Sequence, residues 1–402
     1  MVEFLSLKKD AFGIEITNAN IRMMKLARRA GRIEAVAAGM APLEEGVIEN
    51  ETVKDEKKLA AAIKKLAAKV FGSKKPPRYA VASLPESRAF WQVVSLPRLN
   101  DQEARAAVIF EAENYIPLPL EKVYLDFEIL PPVDANASKL EAAVAAIPRE
   151  IVDARLRAID GAGFVPLAME LESQSVARAA ASVGPLTSAM IIQIGDGKSE
   201  VIILARDSTR FVFSIPISNG YFVDAIAAAV KVDRARAEIL KSKCGIEELG
   251  RSKSAGDRAD QDHEQRLIFE ALIPGLVDFV QQIQKCVRYC QTHGDFCLAE
   301  GKNFERVMIC GRGSDLKGLD DFLAAKLGAP VERMVLPIGT GLLPKTSNFG
   351  KDDGCGNAVV AGLAVRAMNI EAGCDDDSIE TSLPKIRRRM NSRFGENGKN
   401  RD

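Results

Sequence analysis

With 402 residues, 47% hydrophobic and 27% charged, the chain has the balance of a globular protein with room for two or three structural units. Lys and Arg together number 55, as do Asp and Glu, so no net field draws the protein to nucleic acid or an acidic membrane. Seven Cys without disulfide-type spacing read as free thiols of a reducing cytoplasm, and two His argue against histidine catalysis or a His-rich metal site.

No apolar run is long enough to span a bilayer, and the opening MVEFLSLKKD lacks the apolar core of a secretory signal. In chain order, a strand ending in FGIEI (12–16) meets a turn of small and polar residues, Thr17-Asn18-Ala19-Asn20. A second strand follows through Ile21, Met23, Met24 and Leu26, carrying Arg22 and Lys25, and a third is predicted over roughly 32–40. DEKKLAAAIKKLAAKVF sets Leu59, Ile63, Leu66 and Val70 at helical spacing, and Pro76-Pro77 breaks the chain after it. YAVASLP and FWQVVSLP read as strands stopped by Pro85 and Pro97. NDQEARAAVIFEAENYIP reads as a helix capped at Asn100 or Asp101. Strands VYLDFEIL (123–130) and LEAAVAAIP (140–148), a helix over roughly 149–162, strand FVPLAMEL and helix ESQSVARAAAS close the first half.

The opening layout returns at MIIQIGDGKSEVIIL (190–204), again with a third strand, RFVFSIPI, and then helices. This is an internal repeat. SNGYFVDAIAAAV and DRARAEILKSKCG are helices, RSKSAGDRADQDHEQ is a polar connection, and a long helix over roughly 264–292 leads to the strand RVMICG. GRGSDLKGLDDFLAAKLG makes a Gly-containing turn into a helix, GNAVVAGLAVRAMN is the last helix, and an acidic-then-basic tail starts at Gly373.

Exposed backbone N–H groups in strand–turn–strand units form anion-binding concavities, so the two repeated turns suit opposite sides of a phosphate chain. Gly195 and Gly197 admit close backbone approach, while Asn18, Asn20 and Asp196 favour tight turns. CGRGS (310–314) adds a turn between strand and helix, where a phosphate or polar ligand group is favoured.

On this ordered trio the chain resembles the actin-like ATPase superfamily that includes FtsA. Within it, the segment SLPESRAFWQVVSLPRLNDQEARAAVIFEAENYIPLPLEKVYLDFEIL (83–130), with AIPREIVDARLRAIDGAGFVPLAMELES and IPISNGYFVDAI, is similar to the PilM family of type IV pilus assembly. The likeness runs over residues 10–370 or thereabouts. It implies an α/β fold of two actin-like (ribonuclease H-like) lobes with an FtsA-type inserted subdomain. Residues 10–78 and 164–187 would form the first lobe and 79–163 the insert. The second lobe would take 188–245 and 300–370, with 246–299 a helical subdomain and 371–402 a disordered tail. The resemblance implies an ATP or ADP site at Thr17, Asn18, Asn20, Arg22, Gly195, Gly197, Lys198, Glu238, Lys241, Gly311, Gly313 and Ser314. As partner it implies the cytoplasmic N-terminus of a PilN-like inner-membrane protein, held in a groove beside the insert. Val108, Ile109, Ile116 and Leu118 are the candidate contacts. Coupling to the pilus motor ATPase and a cytoplasmic place against the inner membrane follow from the same likeness, with self-association left open.

Three departures bear on chemistry. Glu15 stands for the family's loop-one Asp, Thr17 for its Gly, and Gln193 for the loop-two Asp. Mg²⁺ wants carboxylate and water ligands in octahedral array, so metal binding is expected to be weak or absent, with Lys198 and Arg22 left to offset phosphate charge. Arg312 takes a place where a small residue is usual. The readings that remain are an adaptor with weak ATP or ADP binding and little or no hydrolysis, the same adaptor without nucleotide, an active ATPase or sugar-kinase-like enzyme, and an FtsA-like filament former. A related type II secretion system is an alternative setting. No catalytic residue is assigned.

Cys286, Cys290 and His293, with Cys297 nearby, fit core packing on a long helix better than zinc ligation. Trp91 reads as a sheet-face aromatic or a partner anchor. IETSLPKIRRR (379–389) reads as a solvated end or as a mimic of the partner peptide.

Overall fold

The computed structural model describes residues 9–72, 76–97, 99, 101–132, 139–184, 186–246, 258–293, 304–340, 343 and 355–372. The tail stretch 379–389 and Cys297 lie outside them. The chain divides into two compact units. The first holds residues up to Ala179, Ile338–Phe349 and those from Val359 onward; the second holds Ala180–Pro337 and Gly350–Ala358.

The first unit is built on a six-stranded sheet ordered β10-β6-β1-β2-β3-β16. Strands β1 (Ala11–Ile16), β2 (Asn20–Arg29) and β3 (Arg32–Pro42) form the antiparallel meander, followed by a minor hairpin of β4 (Ile48–Glu49) and β5 (Thr52–Val53). Helix α1 (Glu56–Phe71) starts where the Asp55 carboxylate accepts the Lys58 N–H and ends at Gly72, which sits at φ 60°. Its Leu59, Ile63 and Leu66 face the core with Phe12, Ile14 and Ile16 of β1. Strand β6 (Tyr79–Leu84) pairs parallel with β1, and β10 (Val165–Leu171) parallel with β6. Strand β16 (Ile338–Gly339) pairs with β3 on the far edge.

Between β6 and β10 the chain makes a smaller layer. Strands β7 (Phe90–Pro97), β8 (Val123–Leu130) and β9 (Lys139–Pro148) form an antiparallel sheet ordered β7-β9-β8, with helix α2 (Asp101–Tyr115) on one face. Val94, Leu96, Val108, Ala112, Ile116, Val123, Ala142, Val144 and Ala146 form its own core. The insert is therefore smaller than the 79–163 read from the sequence. Strand β6 belongs to the large sheet, and helix α3 (Arg149–Gly161) packs into the core shared with α1. Helix α4 (Glu172–Ala181) follows β10.

The second unit repeats the plan. Strands β11 (Ser188–Ile194), β12 (Ser199–Ala205) and β13 (Ser208–Ile215) form an antiparallel meander. Strand β14 (Arg306–Cys310) lies parallel to β11, as β6 does to β1, and β15 (Val331–Arg333) continues the sheet. Helices α5 (Asn219–Val230), α6 (Arg234–Lys243), α7 (Arg258–His293) and α8 (Leu319–Leu327) complete it. Helix α7 shares the unit's central core through Ile268, Leu272, Leu276, Phe279 and Ile283, so 246–299 is not a separate hydrophobic body. Cys286 and Cys290 are buried in that core, and burial pushes the Cys286 thiol up to about 11.

The last helix, α9 (Ala358–Ala372), goes to the first unit and not to the second as the sequence suggested. A Cβ on Gly13 would sit 2.6 Å from the Ala364 nitrogen, and one on Gly362 1.8 Å from the Ser175 carbonyl oxygen. Two glycines thus let α9 lie backbone to backbone against β1 and α4.

Candidate functional site

Among the described residues, polar groups collect at the turn of each unit and in a groove of the first unit.

In the first unit's turn, Thr17 closes the chain on itself. Its N–H donates to the Asn20 carbonyl at 2.9 Å, and its Oγ1 accepts the Asn20 N–H at 3.0 Å. Asn18 pairs with Glu51 through Nδ2 to Oε1 at 3.3 Å and by accepting the Glu51 N–H at 3.0 Å. Arg22 sits across the ladder from Glu15 and holds its carboxylate at 2.7 Å, both side chains buried. The guanidinium expected to offset phosphate is thus already bound to the acid that would have organised a metal.

The second unit's turn shows the same economy of charge with different residues. Gln193 lies directly across the ladder from Glu200, a carboxylate only 2% exposed, and Lys198 Nζ stands 2.6 Å from it. The Gly195 N–H donates to the Lys198 carbonyl at 3.0 Å, and a Cβ there would come within 2.8 Å of that oxygen. Gly197 has open space. Gly311, at φ +87°, and Gly313 are needed for packing: a Cβ on either would strike Ile194 at the end of β11, at 2.4 and 2.1 Å. Ser314 is buried, donating to the Gly311 carbonyl at 2.6 Å with the Cys355 sulfur 3.2 Å away.

Glu238 and Lys241 do come together, on α6. Lys241 is fully buried, with Nζ 3.0 Å from Glu238, 2.6 Å from Asp315 and 3.2 Å from the Arg312 carbonyl, and it also touches Asn219 Oδ1. Arg312 reaches back over this group, Nη2 donating to Glu238 at 3.1 Å and Nη1 lying 3.7 Å from Asp196 of the turn. Three acids and two bases face one another here, so the cluster offers little free positive charge to a phosphate.

The groove lies under the other face of the three-stranded sheet, against the ends of β6 and β10. Trp91, Ala145 and Asp126 form one cross-strand row over β7, β9 and β8, so the smallest of the three opens space between an indole and a carboxylate. Met169, Leu171 and Gln174 line the opposite wall. Asp126 Oδ1 accepts the Phe127 N–H at 3.0 Å, whereas Asp126 Oδ2, Trp91 Nε1 and Gln174 Nε2 are buried without a hydrogen-bond partner.

A family model described as type IV pilus assembly protein PilM matches residues 13–367. The chain belongs to the PilM family. Among solved structures, a PilM–PilN type IV pilus biogenesis complex is similar at a TM-score of 0.71 and 24% identity, over 90% of this chain and 99% of that one. The ethanolamine utilization protein EutJ from Carboxydothermus hydrogenoformans aligns at a TM-score of 0.50 and 14% identity, over 88% of each chain. The fold is the two-lobed actin-like one.

Within this PilM-family chain the partner residues read from α2 divide. Val108 and Ile116 are interior to the insert, which rules them out as open contacts; Ile109 is half-buried and Leu118 exposed. A moment spread around α2 made its inward residues look like surplus surface. Of the groove residues, Trp91 alone has a partner-anchor reading from the sequence; Ala145, Asp126 and Gln174 have none, because the row needs the strand order β7-β9-β8, in which the last strand of the layer sits in the middle. Alternation in LEAAVAAIP, which puts Ala143 and Ala145 on one face of the strand, is a sequence signal that marks a face with room on it. Among the described residues no helix is long and apolar enough to cross a membrane.

Proposed function

We propose that this PilM-family protein is a pilus-assembly adaptor that takes the cytoplasmic N-terminal peptide of a PilN-like membrane protein into the groove of the first unit, and that its nucleotide site is degenerate. The groove carries this reading: an apolar channel with three buried polar atoms lacking partners suits an extended peptide, whose backbone has both donors and acceptors to give. The similar structure is of a complex with PilN, which supports the choice of partner. The contact face is then the Trp91–Ala145–Asp126 side of the sheet and not the α2 side, where Ile109 and Leu118 lie. The protein would sit on the cytoplasmic side of the inner membrane through that partner.

Degeneracy of the nucleotide site rests on charge. Glu15 is held by Arg22 and Glu200 by Lys198, and Gln193 has no charge to lend a metal. ATP or ADP then binds weakly, with Mg²⁺ contributing little, and turnover stays near background. Isothermal titration of the full chain with the synthetic N-terminal peptide tests the first half: saturable one-to-one binding, kept by Ile109→Asp, is expected. Loss of binding in folded Ile109→Asp would move the site to the α2 side. Denaturing the purified protein and chromatographing the released nucleotide, with a phosphate-release assay, tests the second half. Turnover of about 1 s⁻¹ or more would make it an enzyme.

A further inference from the structure

Of the acids that line the groove, Asp126 has no salt bridge and one carboxylate oxygen closed off from water. Oδ1 has the Phe127 N–H, and Oδ2 is enclosed and has no donor. The charged groups around it are committed elsewhere. Arg366 of α9 binds Glu170 of β10 at 2.5 Å, and Glu170 is held as well by Arg178 at 2.5 Å. Arg105 of α2 lies over the Phe127 ring at 5.2 Å, and Glu128 follows on the same strand. Tyr124, next in the row along β8, donates its hydroxyl to Asp153 at 2.9 Å. Burial outweighs the two arginines and pushes the Asp126 carboxyl up to about 7. The two histidines of the chain, His263 and His293, are on α7, and neither lines the groove.

The unpartnered atoms have a polarity. Trp91 Nε1 and Gln174 Nε2 are donors without acceptors, and Asp126 Oδ2 is the acceptor without a donor. A peptide group laid along the groove has the complementary pair, a carbonyl for the former and an N–H for the latter. An N–H can be received only by the ionised acid or by the carbonyl oxygen of the neutral one, and the charged acceptor makes the stronger bond.

We propose that Asp126 is a specificity residue of the groove: its carboxylate receives an N–H of the bound peptide, so docking drives a proton from Asp126 to solvent and tightens as pH rises from 6 to 8. The proposal rests on reading the groove as the partner site. For an acid half-ionised near neutrality when empty and fully ionised when occupied, affinity falls about tenfold between pH 8 and pH 6. Docking should release about one proton at pH 6 and almost none at pH 8.

The experiment is titration of the full-length protein with the synthetic N-terminal peptide of the PilN-like partner at pH 6, 7 and 8, each in two buffers of different ionisation enthalpy. Wild type is expected to show the tenfold fall and the proton release. Asp126→Asn, which keeps the shape, is expected to bind more weakly than wild type at pH 8 and to lose both the slope and the proton release. A pH-independent wild type, or a slope kept in Asp126→Asn, overturns the role of Asp126 while leaving the groove as the docking site. Absence of binding at every pH overturns the docking reading and this proposal with it.

Discussion

In the second unit's turn cluster, Arg312, Lys241 and Lys198 each have an acid beside them, whereas in the first unit's groove a carboxylate oxygen, an indole N–H and a side-chain amide have nothing. Both regions are polar, partly buried and lined by residues of several elements. They differ in what a ligand would find. At the turns it must break ion pairs before it makes contacts, and a charge stripped of its partner in a buried setting is costly. In the groove it meets groups that already carry the penalty of desolvation and gain by being met. Gln193 Oε1 and Glu200 Oε2 are likewise without a hydrogen bond, but both lie beside the Lys198–Glu200 ion pair. Ion pairing, more than the presence of polar residues, separates the two: the charges at the turns face opposite charges, and the three unpartnered atoms of the groove face none.

The sharpest way to break this contrast is to fill the groove. Ala145 is the small member of the Trp91–Ala145–Asp126 row. Ala145→Leu puts a branched side chain between indole and carboxylate, while the face of the sheet that packs on α2 is untouched. Partner-peptide affinity should fall at least about 100-fold by titration, in a variant whose circular dichroism spectrum shows it folded. Retained binding would mean that the peptide does not lie along this row.

A second test uses stability in place of binding. Asp126 has its folded pKa raised above the ordinary carboxylate range to about 7, so the folded state binds the proton more tightly than the unfolded. Its contribution is therefore present at low pH and is lost as pH climbs from about 4 to about 7. Asp126→Asn removes the buried charge, and at pH 8 it should be more stable than wild type by up to roughly 4 kcal/mol, the difference closing by about pH 4. Denaturant melts at both pH values read it. Equal stabilities at pH 8 would mean that water already reaches Oδ2.

How far these groups were legible in the sequence follows from what sets them. The repeated meanders, the glycine turn before α8 and the helices α1, α5 and α9 come from local periodicity and turn chemistry, and they stand where the pattern put them. For Gly311 and Gly313, read from the sequence as room for a ligand, the structure gives a packing constraint that the sequence does not show: a Cβ on either would strike Ile194. The Arg22–Glu15 and Lys198–Glu200 pairs depend on ladder register, which a hairpin of known turn length partly fixes. Arg312 meeting Asp196 and Glu238, and Asp126 meeting Trp91 across Ala145, join segments far apart in the chain. Only the assembled sheets bring them together.

Arg312 offers the means to reopen the turn cluster. Arg312→Ala removes the guanidinium from Glu238 and Asp196 and leaves Lys241, with Asn219 and Asp315, in place. The freed Glu238 can then receive a ribose hydroxyl or an adenine amino group. Affinity for ATP or ADP should rise about tenfold, the worth of one charge-assisted hydrogen bond no longer displaced. A fluorescent nucleotide titration checks it, and an unchanged or lower affinity would show that Arg312 helps a nucleotide instead of standing in its place.

The smallest effect concerns the second turn itself. Glu200 is buried and faces uncharged Gln193 across the ladder, and Lys198 balances its charge. Glu200→Gln keeps the shape, removes a desolvated carboxylate and releases the Lys198 ammonium toward the turn. An ammonium at the mouth of a turn is screened by solvent, and Lys198 is about one-fifth exposed, so the gain is modest. Affinity for inorganic pyrophosphate should rise about threefold at low ionic strength and the rise should vanish in about 0.5 M salt. A larger, salt-resistant gain would show that the pair had been closing a formed phosphate site, and a loss would show that Glu200 holds the turn's shape. The sign of this one change thus says whether the second turn is a site held shut by its own charges or a hairpin that never had one.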